Sequence, residues 1–402
     1  MYTNKLVIIT HNFGTVTGPS IALFHALRGI ARFFDQIYVV NTISSKYYYD
    51  KILLQYLPSN VSIFNYQINI RPHTIGFFTI SLKQKICQNF NKMILKSEDY
   101  ESLYFLLWSD ILNLNILTTC LKNQKIFIGY NTFFNFAPPG ILLKQKIDYK
   151  NYYEISEKYT KFILSHIYHN VEYRLTKYIK HILAHTNFHK NLYIRYLQIP
   201  NNCISVIPHM IDTDFIQTLA YKKVKSSIKD KILLYAGGRS IEKGMYILLR
   251  AICKILNRNL HNFKLIMIGT PPMCKEFKKL NEKIIVLKKQ PYLKFLKLIS
   301  MVDAVLVPSQ NELFGLVILE SLSLGKPVIA SNVGGVPEII GSSYELLIRP
   351  GDEEHLASVI CDFLENKIDT NEEYLINIAK RFDRTAIAPR LYKSILEHGQ
   401  LW

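Results

Sequence analysis

An alternation in the second half of the chain constrains the fold more than any other feature. Short apolar runs rich in β-branched residues recur at 231–236, 263–269, 284–287, 304–307 and 327–330, each bounded by turn-forming residues. Runs this short and this uniformly apolar are strands covered on both faces, as the strands of a parallel sheet are. Between them lie segments of helical period at 245–256, 293–300 and 316–324. Strand and helix in regular alternation predict a doubly wound α/β domain, because parallel neighbours need a crossover, usually a helix laid over one face.

The first half repeats the pattern less cleanly. Strands are expected at 5–10, 36–41, 61–66, 102–107, 125–130 and 181–185, with a Tyr- and Lys-rich stretch at 142–180 that reads as mostly helical. Two such α/β sheets, joined near 206–212, imply two domains with a ligand cleft between them.

Composition removes several alternatives. With 402 residues and 49% hydrophobic side chains, the chain has material for two substantial cores, which excludes a disordered protein. Its six cysteines are scattered without a CxxC pair, so a reducing compartment is expected. The sequence shows no basic-apolar leader before the first strand, and its most apolar stretch, 103–117, is interrupted by Ser109, Asp110, Asn113 and Asn115. That stretch falls short of the roughly 20 apolar residues a spanning helix needs, and a cytoplasmic location is expected. The net charge is +18, and residues 1–208 hold 22 Lys/Arg against 10 Asp/Glu, two thirds of the excess. A basic half-protein suits a polyanionic partner, whether an anionic membrane surface, a lipid-linked phosphate or nucleic acid. An amphipathic, lysine-flanked segment at 83–96 and the aromatic-basic stretch at 142–161 are candidates to meet it.

The chemistry concentrates where strands end. After the strand at 304–307 comes Pro308-Ser-Gln-Asn-Glu-Leu-Phe-Gly-Leu-Val-Ile-Leu-Glu320. Glu312 falls on the loop and Glu320 within the helix that Gly315 opens, roughly 7 Å along the axis, so the two carboxylates address different parts of one extended ligand. The amides of Phe314, Gly315 and Leu316 form a helix N-terminus, which favours a phosphate. A second strand-helix turn, Ala236-Gly-Gly-Arg-Ser-Ile-Glu-Lys-Gly244, offers the planar fork of Arg239 and the point charge of Lys243, a pairing suited to a diphosphate.

Together with Val206-Ile-Pro-His-Met-Ile-Asp-Thr-Asp-Phe215 and Ser331-Asn-Val-Gly-Gly-Val-Pro-Glu338, these motifs stand in the order and spacing of the retaining two-domain glycosyltransferases of family 4. The sequence resembles that family over its C-terminal half. The resemblance implies the GT-B fold, an α/β architecture of two Rossmann-like, doubly wound domains facing across a cleft: residues 1–208 as an N-terminal, acceptor-side domain, residues 209–383 as the donor domain, and a last helix, 384–402, returning to the first domain. It also implies a nucleotide-diphosphate sugar as donor, a glycan or lipid-linked acceptor, retention of configuration, and no metal or other cofactor. By the same resemblance Arg239 and Lys243 neutralise the donor diphosphate, Glu320 holds the ribose, and Glu312 contacts the transferred sugar. Gly18, then Gly14, approach the donor phosphate, and 288–291 lie near the nucleobase. Three positions depart from the family pattern. His209-Met210 replace the usual Asn-Gly, the glycine-rich loop at 13–20 matches loosely, and Asn131 stands where many relatives carry a catalytic His. Asp212-Thr-Asp214 has the form of a cation-binding pair, but it lies in the joining motif and no metal is expected there. A sugar epimerase on the same fold, a nucleic-acid-binding protein and a glycosyltransferase acting on nucleic-acid bases are the alternatives; nucleic acid is the less expected partner, because it would leave Glu312 and Glu320 idle in a basic groove.

Overall fold

The computed structural model describes residues 4–11, 13–15, 17–44, 50–68, 103–108, 126–130, 179–219, 230–238, 240–260, 262–269, 280 and 282–399. Asn131, Arg239 and the segments 83–96 and 142–178 lie outside the described residues. The described chain falls into two compact units, one built from the residues up to Asp212 and from Arg384 onward, the other from Thr213–Asp383. The break falls a few residues beyond the 208/209 division expected, because Ile211 and Asp212 are bonded within the first unit. The Ile211 carbonyl accepts from the Arg384 amide at 2.8 Å, and the Asp212 amide donates to His25 Nδ1 at 3.1 Å.

The first unit is a seven-stranded parallel sheet in the order β3-β2-β1-β4-β5-β6-β7. Its strands are β1 (Lys5–His11), β2 (Gln36–Ser44), β3 (Val61–Ile68), β4 (Leu103–Trp108), β5 (Ile126–Tyr130), β6 (Ile179–Ala184) and β7 (Ile204–Val206). Helix α1 (Gly18–Ile30) follows β1, α2 (Lys51–Leu54) precedes β3, and α3 (Asn187–Leu197) is capped by Thr186, whose hydroxyl accepts from the His189 amide. The second unit opens with α4 (Thr213–Thr218) and holds a six-stranded parallel sheet in the order β10-β9-β8-β11-β12-β13. Its strands are β8 (Lys231–Tyr235), β9 (Phe263–Ile268), β10 (Ile284–Leu287), β11 (Ala304–Val307), β12 (Val328–Ser331) and β13 (Leu347–Ile348). The helices that follow are α5 (Met245–Asn257), α6 (Tyr292–Met301), α7 (Leu316–Ser323), α8 (Val336–Ile340), α9 (Glu353–Leu364), α10 (Glu372–Lys380) and α11 (Arg384–His398).

Every strand of β11 and β12 is buried along its whole length, as the uniform apolar runs required. Helix α5 lays Met245, Leu248, Leu249, Ile252 and Ile255 into the core, each fully buried, a contribution of about 1.5–3 kcal/mol per side chain before chain entropy is counted. Two strands escaped the sequence reading, β7 and β13. They are three and two residues long, too short to show a period.

Helix α11 belongs to the first unit and packs on α1, so the returning C-terminal segment is present. Tyr392 stacks on Phe33 with ring centroids 4.7 Å apart. Asp212, fully buried, accepts from Arg28 Nε at 2.7 Å and from Arg384 Nε at 3.1 Å. The departure at Met210 needs no left-handed backbone, since neither His209 nor Met210 has positive φ. The Met210 side chain is instead buried against α1, where its sulfur lies 2.7 Å from the place a Cβ on Gly29 would occupy. His209 stacks on His185 at 3.7 Å, and His185 lies 5.0 Å from His189. Burial holds all three imidazoles neutral, those of His189 and His209 down to about 3.

Candidate active site

In an open parallel sheet, ligands bind beyond the C-terminal strand ends, where successive connections leave for opposite sides. In the second unit that point lies between β8 and β11, which are neighbours in the sheet although far apart in sequence. The loops leaving these two strands carry Lys243 and Glu312.

The two loops are joined through the main chain. The Glu242 carbonyl accepts from the amides of Gln310 at 2.7 Å and Asn311 at 3.3 Å. The Gln310 side-chain amide donates to the Ile241 carbonyl at 3.2 Å. This stitching sets the geometry: Lys243 Nζ stands 2.7 Å from Glu312 Oε2. Burial opposes the Lys243 charge, but the Glu312 carboxylate outweighs it, with a smaller contribution from Glu242, and lifts the ammonium above its ordinary value. Ser309 Oγ lies 3.4 Å from the same carboxylate oxygen and donates to it. A third loop, after β12, supports Glu312 from behind, as the Gly335 amide donates to the Glu312 carbonyl at 3.0 Å.

Gly315 is the N-cap of α7 with φ of +93°, a conformation that costs a side-chain-bearing residue about 1–2 kcal/mol. It turns the chain from the Glu312 loop into the helix. Phe314 sends its ring inward, buried against Phe382 with centroids 5.9 Å apart, so this residue presents only its main chain to a ligand. Leu316 begins the helix, and Glu320 lies one turn further along, 3% exposed. Burial pushes the Glu320 carboxyl up to about 7, against the opposing effect of a hydrogen bond from Tyr292. Tyr292 opens α6 directly after 288–291. Sequence reasoning missed Tyr292, since nothing in a lone tyrosine marks it as the partner of a carboxylate on another helix. In 288–291 itself, burial lowers the Lys289 ammonium from its ordinary value.

Gly14 and Gly18 lie in the first unit, beyond β1. The Gly14 amide donates to Ser20 Oγ at 3.0 Å, and Gly18 opens α1 with open space where a Cβ would stand. Asp212, the first acid of the Asp-x-Asp pair, is engaged by the two guanidinium groups described above. Among the described residues there is no group of three or more His, Cys, Asp or Glu placed to hold a metal ion, and no helix long and apolar enough to cross a membrane.

Solved structures with this architecture align over nearly the whole chain. Anabaena Alr3699/HepE in complex with UDP and glucose superposes with a TM-score of 0.68 at 16% identity, covering 98% of this chain and 100% of that one. The lipopolysaccharide outer core galactosyltransferase WaaB does so with 0.62 at 16%, over 98% and 99% of the two chains. The fold is GT-B. Residues 218–382 match the family Glycosyl transferases group 1.

Among curated proteins, an uncharacterized glycosyltransferase of Methanocaldococcus jannaschii is 33% identical over 159 residues, 38% of this chain and 40% of the relative. The gpi3 subunit of the phosphatidylinositol N-acetylglucosaminyltransferase of Schizosaccharomyces pombe is 24% identical over 376 residues, 88% of this chain and 73% of the relative. A D-inositol 3-phosphate glycosyltransferase of Corynebacterium glutamicum matches over 42% of its length. The chain thus spans about two fifths of the length of most of these relatives.

Proposed function

We propose that the chain transfers a sugar from a nucleotide-diphosphate donor to a glycan or lipid-linked acceptor, retains the anomeric configuration, and uses no divalent cation. The observation that carries this reading is the meeting of Lys243 and Glu312, 2.7 Å apart, at the switch point of the second sheet, next to the N-terminus of α7. Lys243, together with Arg239 and the amides of Phe314, Gly315 and Leu316, stabilises the departing diphosphate, where negative charge develops. Glu312 accepts hydroxyls of the transferred sugar and Glu320 those of the ribose. Neither carboxylate is free to serve as a nucleophile under the anomeric carbon in these roles. The reading is therefore same-face departure and attack, with a phosphate oxygen helping to take the acceptor proton. Asn131 is the candidate for contacting the reacting sugar from the first unit, and Gly14 and Gly18 for main-chain approach to the donor phosphate.

The names of two relatives, one a phosphatidylinositol and one an inositol-phosphate enzyme, favour an acceptor that carries an inositol or lipid phosphate, as does the basic excess of residues 1–208. Attachment at an anionic membrane surface follows from the same charge. Thermal-shift measurement against UDP, GDP and ADP and their hexose conjugates tests the donor, because a ligand of the folded state raises the melting temperature by mass action. Stabilisation by one base series is expected, and proton NMR of the product should show the donor's configuration. No stabilisation by any of them, or an inverted product, overturns the reading.

A further inference from the structure

We infer that Glu312, besides holding the sugar, weakens the hold of the site on the spent nucleoside diphosphate. This rests on the donor reading of the same site. Lys243 is already neutralised by Glu312 at 2.7 Å, so a diphosphate must share that ammonium with a carboxylate beside it. The carboxylate has little room to withdraw. Its side chain is 11% exposed, Ser309 donates to it, and its main chain is held by the Gly335 amide at 3.0 Å. Lys243 is held in turn, since the Gly244 amide donates to the Ile241 carbonyl at 3.0 Å and the Glu242 carbonyl receives both amides of the opposite loop.

Two negative groups therefore compete for one partly buried cation, and in a site of reduced dielectric their mutual repulsion is not fully screened. An intact donor brings sugar hydroxyls as hydrogen-bond donors to Glu312, which offset the repulsion. Once the sugar has left, the hydroxyls are gone and the repulsion stays. Glu312 thus separates donor from product in affinity and speeds clearance of the site.

The test is titration calorimetry with UDP, GDP and ADP and with their glucose conjugates, on wild type, Glu312→Gln, Lys243→Ala and the double variant. For the base series that wild type binds, Glu312→Gln should tighten the bare diphosphate by about three- to tenfold, the size of a charge contact moderated by a lysine that is 41% exposed. It should leave the sugar conjugate unchanged or weaker. In the Lys243→Ala background the gain should persist or grow, because Glu312 then faces the diphosphate with no ammonium between the two negative groups. Glu312→Ala gives the same comparison if the amide variant folds poorly. Unchanged or weaker diphosphate binding by both Glu312 variants overturns the inference while leaving the donor reading intact. Failure of wild type to bind any member of the panel overturns the donor reading, and this inference with it.

Discussion

The carbonyl oxygen of Glu312 lies 1.9 Å from the position a Cβ on Gly334 would take. With φ of +60°, Gly334 is excluded from carrying a side chain by its conformation and by main-chain atoms that have nowhere to move. Gly334→Ala should lower stability by about 2 kcal/mol and displace Glu312, cutting turnover by roughly 100-fold, as small misplacements at a reacting centre do. Parallel melting and activity assays check this. A fully active alanine variant would detach Glu312 from the chemistry.

Lys243→Ala should weaken nucleoside diphosphate affinity by about tenfold or more, the equivalent of about 1.5–3 kcal/mol for a charge-assisted contact. Calorimetry on the folded variant reads it directly. Equal affinity in variant and wild type would place the diphosphate elsewhere.

Glu320 sets a pH signature in the second unit. Its carboxyl stands at about 7 in the folded protein against 4.5 ordinarily, so between those values the folded state binds the extra proton and stability falls as pH rises. Glu320→Gln copies the protonated form. Its stability relative to wild type should therefore increase from pH 5 to pH 7 and level off above, by up to about 1.4 kcal/mol per pH unit. Urea denaturation at several pH values would show a flat difference if the carboxyl titrates normally.

The first unit should respond to acid in the opposite sense. His189 and His209 fall to about 3 when folded against 6.5 ordinarily, so below pH 6.5 the unfolded chain binds more protons and stability drains away toward pH 3. His209→Asn removes one such group, and its acid unfolding midpoint should shift to lower pH than that of wild type. A midpoint that does not move would mean that His209 contributes nothing to acid lability.

Asp212→Asn leaves Arg28 and Arg384 facing a neutral amide. Both arginines are partly exposed, at 21% and 32%, so the loss should be about 2 kcal/mol, below the range for a fully buried pair. Activity should be indifferent to chelators in wild type and variant alike. Restoration of chelated enzyme by Mn²⁺ or Mg²⁺ would instead make this carboxylate a cation ligand.

The legibility of this molecule follows the distance over which each feature is encoded. Strands β11 and β12 declare themselves because each is buried along its whole length, and α7 because Gly315 marks its start. The pairing of Lys243 with Glu312 spans 69 residues. The sequence shows both groups and their chemistry, but only the sheet order brings them together. Tyr292, which donates to Glu320, and the histidine stack around His185 carry no local signal at all. Met210 shows in the sequence only as a departure from the family pattern, and its partner, Gly29 under the thioether, lies far away along the chain.

Because Gln310 and Asn311 both hang from one carbonyl, that of Glu242, the turn at 241–244 and the loop at 308–312 form a single mechanical part, with 331–335 bolted behind it. Anyone recombining loops between relatives to change donor preference should treat the three as one cassette. A chimera that swaps 308–315 alone would import a glutamate whose backing and counter-charge belong to a different template, and the mismatch would fall on the reacting groups themselves.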